Sequence, residues 1–161
     1  MSNDPARDLR SLLIVTHSRR GSTERIAAAF ERGTRTEGIS GIRVDRRDVV
    51  DADRDAVTQS SGVAIIAPAR FGSMAGLVKD FFERIYYDVL DLTPGLPYVV
   101  VVKGDTDGSG AVSSIETIAT GLRWRRVLEP LVIVGEVNAD ALDRAEELGA
   151  TFAIGLAEGV F

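Results

Sequence analysis

The sequence contains no cysteine and only one histidine among its 161 residues. Without cysteine the chain forms no disulfide, offers no thiolate nucleophile and binds no metal through sulfur. A single histidine, His17, is more often structural than catalytic when it has no partner residues, and no histidine or carboxylate cluster indicates a metal. These absences exclude a cysteine-nucleophile phosphatase and give no support for a metal centre.

The chain also lacks a basic excess and long apolar runs. Its formal net charge of -5 argues against non-specific nucleic-acid binding, which needs a basic face. No apolar run approaches the ~20 residues of a membrane span, and the first ten residues lack the apolar segment of a secretory signal. We therefore expect a soluble, cytoplasmic protein with no membrane span and no nucleic-acid partner. Residues 1–10 are expected to form a flexible N-terminal extension.

The remaining pattern is an alternation of strand-like and helix-like segments. Apolar strand segments precede each predicted helix and are short and rich in β-branched residues, which is typical of parallel strands buried on both faces. At this length the units form one domain, residues 1–161. The prediction is an α/β fold, a three-layer doubly wound sandwich. Its five-stranded parallel sheet has the order 2-1-3-4-5, with helices on both faces.

The first turn carries the densest set of candidate ligand-binding groups. It follows the apolar segment 12–15 and precedes a helix predicted over 22–37. Three hydroxyls, one glycine and two arginines lie within six residues: Ser18, Arg19, Arg20, Gly21, Ser22 and Thr23. A strand, a polar turn and a helix start direct backbone N–H groups at an anion, and the arginines neutralise its charge. The alternative is a solvated turn in which Ser22 or Thr23 caps the helix.

Two further polar loops follow the third and fourth predicted strands. The loop at 69–73 comes after the strand ended by Pro68, and the run 104–110 comes after the strand 97–102. In a parallel sheet these loops share the carboxyl edge with the first turn, where doubly wound proteins bind ligands. The sequence therefore predicts one binding site built from three loops.

Several nucleotide-binding and hydrolytic classes are excluded by their motifs. The first turn is not G-x-G-x-x-G, and no G-x-x-x-x-G-K-[ST] occurs, which disfavours a dinucleotide-type Rossmann domain and a P-loop NTPase. A G-x-S-x-G nucleophile elbow is absent as well. Thr16-His17-Ser18 stands where a response regulator would carry an acidic pair.

Two segments carry a family resemblance that covers about residues 12–134. The run 18–23, SRRGST, resembles the phosphate loop of flavodoxins and of flavodoxin-like NAD(P)H-dependent FMN reductases. The run 68–81, PARFGSMAGLVKDF, is similar to the P-x-Y-F/W-G-x-M-x-G…K-x-F segment of the same superfamily and is the more specific of the two. The resemblance implies the flavodoxin-like fold and FMN as the cofactor.

The resemblance also assigns each loop to a part of FMN. The phosphate would be held by Ser18, Arg20, Ser22 and Thr23, with Arg19 and Gly21 in the same loop. The isoalloxazine ring near N5 would be bordered by Pro68, Ala69, Arg70, Phe71 and Gly72, and its pyrimidine end by Gly104, Asp105, Asp107 and Gly108. Asp105 and Asp107 could instead serve only as local turn formers.

Arg70 departs from the family pattern, because relatives often have tyrosine or another stacking residue there. A cation beside the flavin raises its reduction potential, so Arg70 favours an oxidoreductase over a low-potential carrier. Arg70 could also contact the phosphates of NAD(P)H or a carboxylate substrate, or remain solvated. Phe71 could pack on the flavin or turn into the core.

Three functional hypotheses follow. The first is an FMN-dependent oxidoreductase that takes hydride from NADH or NADPH at flavin N5 and passes electrons to a quinone, flavin or other small acceptor. No side chain is then needed as a catalytic acid or base. The second is a flavodoxin-type electron carrier to a protein partner, and the third is a flavin-free protein of the same fold. The resemblance also implies a possible homodimer.

Overall fold

The computed structural model describes residues 9–161. The predicted N-terminal extension, residues 1–10, lies almost entirely outside this range. Within these residues the chain forms seven strands and five helices. The strands are β1 Arg10–Thr16, β2 Ile42–Asp48, β3 Gly62–Arg70, β4 Ser73–Met74, β5 Pro97–Gly104, β6 Arg125–Arg126 and β7 Leu131–Val134. The helices are α1 Ser22–Thr34, α2 Arg54–Thr58, α3 Gly76–Val89, α4 Ser109–Gly121 and α5 Ala139–Ala157.

The five predicted strands form one parallel sheet in the predicted order, which here reads β2-β1-β3-β5-β7. The register brings the carboxyl ends of the central strands level with one another. Thr16 of β1 pairs with Ile66 of β3, and Pro68 of β3 pairs with Lys103 of β5. β1 ends before it reaches the level of Pro68. The missing N–H of this proline therefore leaves no carbonyl of β1 without a donor.

Two apolar layers separate the sheet from the helices. One layer packs α1 and α5 against the sheet around Phe30 and Phe152, and the other packs α2, α3 and α4 around Phe81 and Phe82. The central strands alternate their side chains between these layers, so β1 is buried at every position from Ser11 to Thr16. The prediction of helices on both faces of the sheet is therefore confirmed.

The structure differs from the sequence-based expectations in three details. The segment 69–73, expected to be a loop, belongs to an antiparallel hairpin in which Arg70 pairs with Ser73. β6 is an extra short strand beside the start of β5. α1 ends at Thr34, three residues before the end of the helix predicted over 22–37. In the described part of the chain, no helix combines the length and apolar character needed to cross a lipid bilayer.

Candidate functional site

A cleft of about 360 Å³ opens at the carboxyl edge of the sheet, where the loops after β1, β3 and β5 meet. All three loops that the sequence singles out contribute to its wall. The lining residues are Ser18, Arg19, Arg20, Ser22, Thr23, Pro68, Arg70, Phe71, Lys103 and Asp105. Its volume lies within the range of small-molecule and cofactor sites, roughly 300–1,000 Å³.

The first loop leaves the start of α1 open toward the cleft. Gly21 caps the helix in the left-handed conformation, with φ 85°, which glycine adopts without steric cost. Its N–H donates to the Ser18 Oγ at 3.2 Å, and its carbonyl accepts from the Arg25 N–H at 3.1 Å. No side chain caps the helix, so no capping oxygen competes with a ligand for the N–H groups of its first turn.

Ser22 and Thr23 form the first turn of α1 rather than its cap. Both residues line the cleft, and Thr23 is almost fully buried. The alternative of Ser22 or Thr23 as a capping residue is therefore wrong, because Gly21 holds that position. Hydroxyl groups beside open helix N–H groups and the positive end of the helix dipole form an anion-binding environment.

The second loop is a rigid hairpin that carries Phe71 and Gly72 at its tip. Both residues have positive φ, 50° and 71°, as a two-residue type I′ turn requires. The hairpin is anchored to α4 at two points. The Met74 N–H donates to the Ser114 Oγ at 3.0 Å, and the Gly72 carbonyl packs on Gly110, where a Cβ atom would lie only 2.0 Å from that oxygen.

Phe71 combines backbone strain with full solvent exposure. A non-glycine residue in the left-handed region costs roughly 1–2 kcal/mol, and this phenyl ring is completely exposed at the mouth of the cleft. The alternative in which Phe71 turns into the core is therefore wrong. A strained, exposed aromatic on an anchored hairpin indicates a binding function, because neither feature stabilises the isolated chain.

The third loop contributes an ion pair. Lys103 Nζ donates to the Asp105 carboxylate at 2.6 Å, and only 14% of the lysine side chain is exposed. The hydrogen bond and charge of Lys103 lower the pKa of Asp105 below its ordinary value, and the nearby Arg70 and Arg20 charges lower it further. Asp105 therefore contacts Lys103 and lies within the electrostatic influence of an arginine from each of the other two loops.

The rest of the third loop is occupied with its own turn. Asp107 accepts hydrogen bonds from the N–H groups of Gly108 and Ser109, at 2.7 and 2.9 Å, and from the Ser109 hydroxyl at 2.8 Å. These bonds, those of Ser109 above all, lower the pKa of Asp107. A Cβ atom on Gly104 would lie 2.1 Å from the Asp107 carbonyl oxygen, so the turn itself requires glycine there.

The cleft is cationic although the whole chain is acidic. Arg19, Arg20, Arg70 and Lys103 line it, against the single carboxylate of Asp105. Within residues 9–161, none of the three arginines has a carboxylate within ion-pairing distance. An excess of positive charge in a concave site attracts an anionic ligand.

Comparison with known proteins gives a structural match only. No family model and no curated protein sequence matches the chain. Among solved structures, an archaeal flavodoxin is 16% identical with a TM-score of 0.78, covering 91% of this chain and 98% of its own. A WrbA-like flavodoxin of Agrobacterium tumefaciens is 15% identical (TM-score 0.76; 93% and 98% covered). A flavodoxin of Streptococcus pneumoniae TIGR4 is 23% identical (TM-score 0.73; 92% and 99% covered).

The chain has the flavodoxin-like fold. The fold resemblance inferred from the motifs at 18–23 and 68–81 is thereby confirmed, while the predicted residue roles stay predictions. These three identities are all below 25%, so any argument about ligands has to rest on the residues of the cleft.

Within this flavodoxin-like fold, the sequence predicted nine of the ten residues that line the cleft. The tenth is Lys103, whose signal was a charged residue directly after the apolar run 98–102, at the carboxyl end of a central strand. Six predicted site residues lie in the loops without lining the cleft: Gly21, Ala69, Gly72, Gly104, Asp107 and Gly108. The possible homodimer and the cytoplasmic location also stay predictions.

Proposed function

We propose that the protein is an FMN-binding oxidoreductase that accepts hydride from NADH or NADPH and passes electrons to a quinone, flavin or other small acceptor. The observation that carries the proposal is the convergence of three loops in one cationic cleft at the carboxyl edge. The flavodoxins among the similar solved structures support a flavin as the ligand.

The first loop fits the phosphate of FMN. A phosphate dianion needs several donors and positive charge, and the loop provides both. Open helix N–H groups behind Gly21, the hydroxyls of Ser22 and Thr23, and the guanidinium groups of Arg19 and Arg20 lie at one end of the cleft. These are the donor types that bind phosphate at helix N-termini.

The second and third loops fit the isoalloxazine ring. The ring needs an apolar contact on one face and hydrogen-bonding groups at its pyrimidine edge. Phe71 supplies an uncovered aromatic surface, and the ion pair of Lys103 and Asp105 supplies both a donor and an acceptor. Among the lining residues Phe71 is the one aromatic, so the other face of the ring would contact polar groups.

The role of this chain in the reaction is positioning. Bound FMN would supply the electron chemistry, accepting two electrons with hydride at N5. The anchored hairpin of Arg70 and Phe71 would orient the reacting face, and the residues around the cleft would exclude water. No side chain is required to donate or accept a proton at the reacting atom.

The charge of the cleft favours a reductase over a low-potential carrier. Lys103 and Arg70 stabilise negative charge that develops on a bound group during reduction, which raises its reduction potential. The second candidate, an electron carrier to a protein partner, is favoured by the full exposure of Phe71. This exposure leaves the cleft mouth open to a macromolecule. The third candidate, a flavin-free protein, is disfavoured by the unpaired arginines of the cleft.

The deciding experiment is a visible absorption spectrum of the purified protein after adding FMN, and then NADH or NADPH without oxygen. We expect bound FMN that the nicotinamide bleaches within the mixing time. A bound flavin that only dithionite bleaches would make the protein an electron carrier. Failure to bind FMN would refute both and leave the flavin-free alternative.

A paired substitution tests the first loop independently. Ser22→Ala with Thr23→Val removes both hydroxyls while keeping the buried volume at position 23, and we expect FMN affinity to fall at least tenfold. Thr151→Val is the matched control, since its hydroxyl donates only to the Glu147 carbonyl on α5, at 2.9 Å. Fluorescence titration of FMN measures both variants, and equal affinities would refute the loop assignment.

A further inference from the structure

The cofactor assignment uses the charge of Arg70 but gives its guanidinium no hydrogen-bond partner. Arg19 and Arg20 belong to the phosphate loop, and Lys103 is paired with Asp105. In the described part of the chain, the one hydrogen bond that the Arg70 guanidinium donates goes to the carbonyl of its neighbour Ala69, at 3.1 Å. A guanidinium has five N–H donors in a planar fork, so most of its binding capacity is unused.

Phe71 stands directly beside Arg70, and the proposed flavin contact uses only part of its exposed ring. Its ring is fully exposed, and its backbone is held in the strained left-handed region by the type I′ turn. The bonds that anchor the hairpin to α4 keep this geometry in place. Since a ring has two faces and an edge, bound FMN can contact one face while another surface remains available.

We propose that Arg70 and Phe71 form a subsite at the mouth of the cleft for an anionic aromatic electron acceptor. This inference rests on the proposed function and names its substrate class. The phenyl ring would stack against a planar acceptor, and the guanidinium would bind its carboxylate with two parallel hydrogen bonds. Arginine suits this role better than lysine because its planar fork matches a carboxylate.

The local charge selects an anion over a neutral or cationic acceptor. The chain carries a formal net charge of -5, yet the cleft holds four cations against one carboxylate. Arg19 and Arg20 would neutralise the phosphate of FMN, and Lys103 is paired with Asp105. Arg70 then remains as a positive charge at the cleft mouth. This arrangement draws in negatively charged substrates and repels cationic ones.

The reaction at this subsite would balance without further reagents when the acceptor is a quinone carboxylate. The quinone would gain two electrons and two protons to become the hydroquinone carboxylate. NADH or NADPH would be oxidised to its nicotinamide cation, giving up both electrons and one proton, and solvent would supply the second proton; bound FMN would supply the electron chemistry between the two substrates. The carboxylate held by Arg70 is unchanged throughout.

Binding of two redox-inert probes tests the subsite without turnover. Naphthalene-2-carboxylate and naphthalene-2-carboxamide share one ring system and differ in charge. We expect the FMN-loaded protein to bind the carboxylate about tenfold more tightly by isothermal titration calorimetry, because a charged hydrogen-bonded pair adds on the order of 1.4 kcal/mol. Arg70→Gln should abolish this preference.

Arg25→Gln and Phe71→Leu separate the contribution of the Arg70 charge from that of the Phe71 ring. Arg25→Gln removes the same charge from the exposed face of α1, outside the cleft lining, and should keep the preference for the carboxylate. Phe71→Leu should weaken both probes by a similar factor, since it removes the stacking surface and leaves Arg70 in place. With 2-methyl-1,4-naphthoquinone and 1,4-naphthoquinone-2-carboxylate as acceptors, Arg70→Gln should raise KM for the carboxylate alone.

FMN affinity measured in the same samples distinguishes this inference from the proposed function. If Arg70→Gln loses FMN affinity as strongly as probe affinity, Arg70 holds the cofactor and the subsite is refuted. If the wild-type protein binds no FMN, the proposed function fails, and the probes are then titrated against the flavin-free chain, whose hairpin is already formed. A carboxylate preference that depends on Arg70 supports the subsite in either form, and its absence overturns it.

Discussion

Two arginines of β2, Arg46 and Arg47, and the arginines of the cleft have opposite surroundings. On β2, Arg46 bonds Glu24 and lies 3.1 Å from the Glu31 carboxylate, and Arg47 lies 3.0 Å from Asp45. Around the cleft, Arg19, Arg20 and Arg70 have no such carboxylate within residues 9–161. One residue type therefore serves two purposes in one molecule, and the difference lies in its partners.

Paired arginines on an edge strand stabilise the fold and protect it. They contribute modestly to stability, and their charge discourages pairing of β2 with another chain. Unpaired arginines in a concave site repel one another without any gain for the isolated protein. Their grouping is explained when an anion completes the site. The following predictions test whether this division holds.

The largest expected effect is on cofactor affinity. Replacing Arg19 and Arg20 together by Gln should weaken FMN binding by on the order of 100-fold, because two charged hydrogen bonds to the phosphate are lost. The stability of the flavin-free protein should remain unchanged or rise, since two uncompensated cations are removed. Fluorescence titration and urea unfolding measure the two quantities.

Arg46→Gln is the matched control on β2, with the reverse expectation. FMN affinity should stay within a factor of two, while the free energy of unfolding should fall by about 1 kcal/mol, since Glu24 loses its partner and Glu31 keeps only Arg35. The division between the two groups of arginines would be wrong if both substitutions changed the same quantity.

The second expected effect extends the comparison to aromatic residues. Phe71→Asn should raise the free energy of unfolding by about 0.5–1 kcal/mol, because Asn-Gly is the preferred pair in a type I′ turn and tolerates positive φ. Urea unfolding of the flavin-free protein measures the gain. Tyr87→Asn on α3 is the control: this exposed residue has ordinary helical backbone, so the substitution should lower stability slightly.

A loss of stability in Phe71→Asn would show that the phenyl ring packs on the folded chain and would weaken the case for a binding role. A gain accompanied by weaker binding of FMN or of the aromatic probes would show that strain at Phe71 is retained for its ligand. The two measurements together therefore separate structural from binding contributions.

The smallest effect concerns the one carboxylate of the cleft. Asp105 should titrate below the ordinary pKa of an aspartate, about 3.9, because Lys103 bonds and stabilises its charged form. Since the pKa is lowered by folding, the ion pair stabilises the fold above the ordinary pKa of aspartate. This contribution is lost as the pH falls through the lower, folded value. NMR titration of the Asp105 carboxyl in wild type and in Lys103→Met measures the shift, which the substitution should largely remove.

The strand segments and the loop order were predictable because they depend on short-range patterns. The apolar runs 12–15, 63–67 and 98–102 are long enough only for strands, and their alternation with helical segments implies a parallel sheet. A parallel sheet places the loops after β1, β3 and β5 at one edge, so most of the cleft could be predicted without coordinates.

Three features of the site could not be predicted in the same way. The hairpin of β3 and β4 depends on a tertiary anchor, the Met74 N–H bond to Ser114, forty residues away along the chain. The full exposure of Phe71 follows from that anchor and not from its hydrophobic side chain. Lys103 enters the cleft because β5 ends level with β3, which only the register decides.

By itself, the sequence of this protein determined the alternation of strands and helices, the sheet order and the three loops that could bind a ligand. These features follow from the spacing of apolar residues along each strand and helix and from the right-handed connection between parallel strands. Both act within a single βα unit. Only the tertiary structure decided which charges remain unpaired. Arg46 meets Glu24 and Glu31 across the packing of β2 on α1, while Arg70 projects from a hairpin and has no carboxylate within ion-pairing distance in the described chain. Ion pairing depends on distances between distant segments, and no local pattern encodes them.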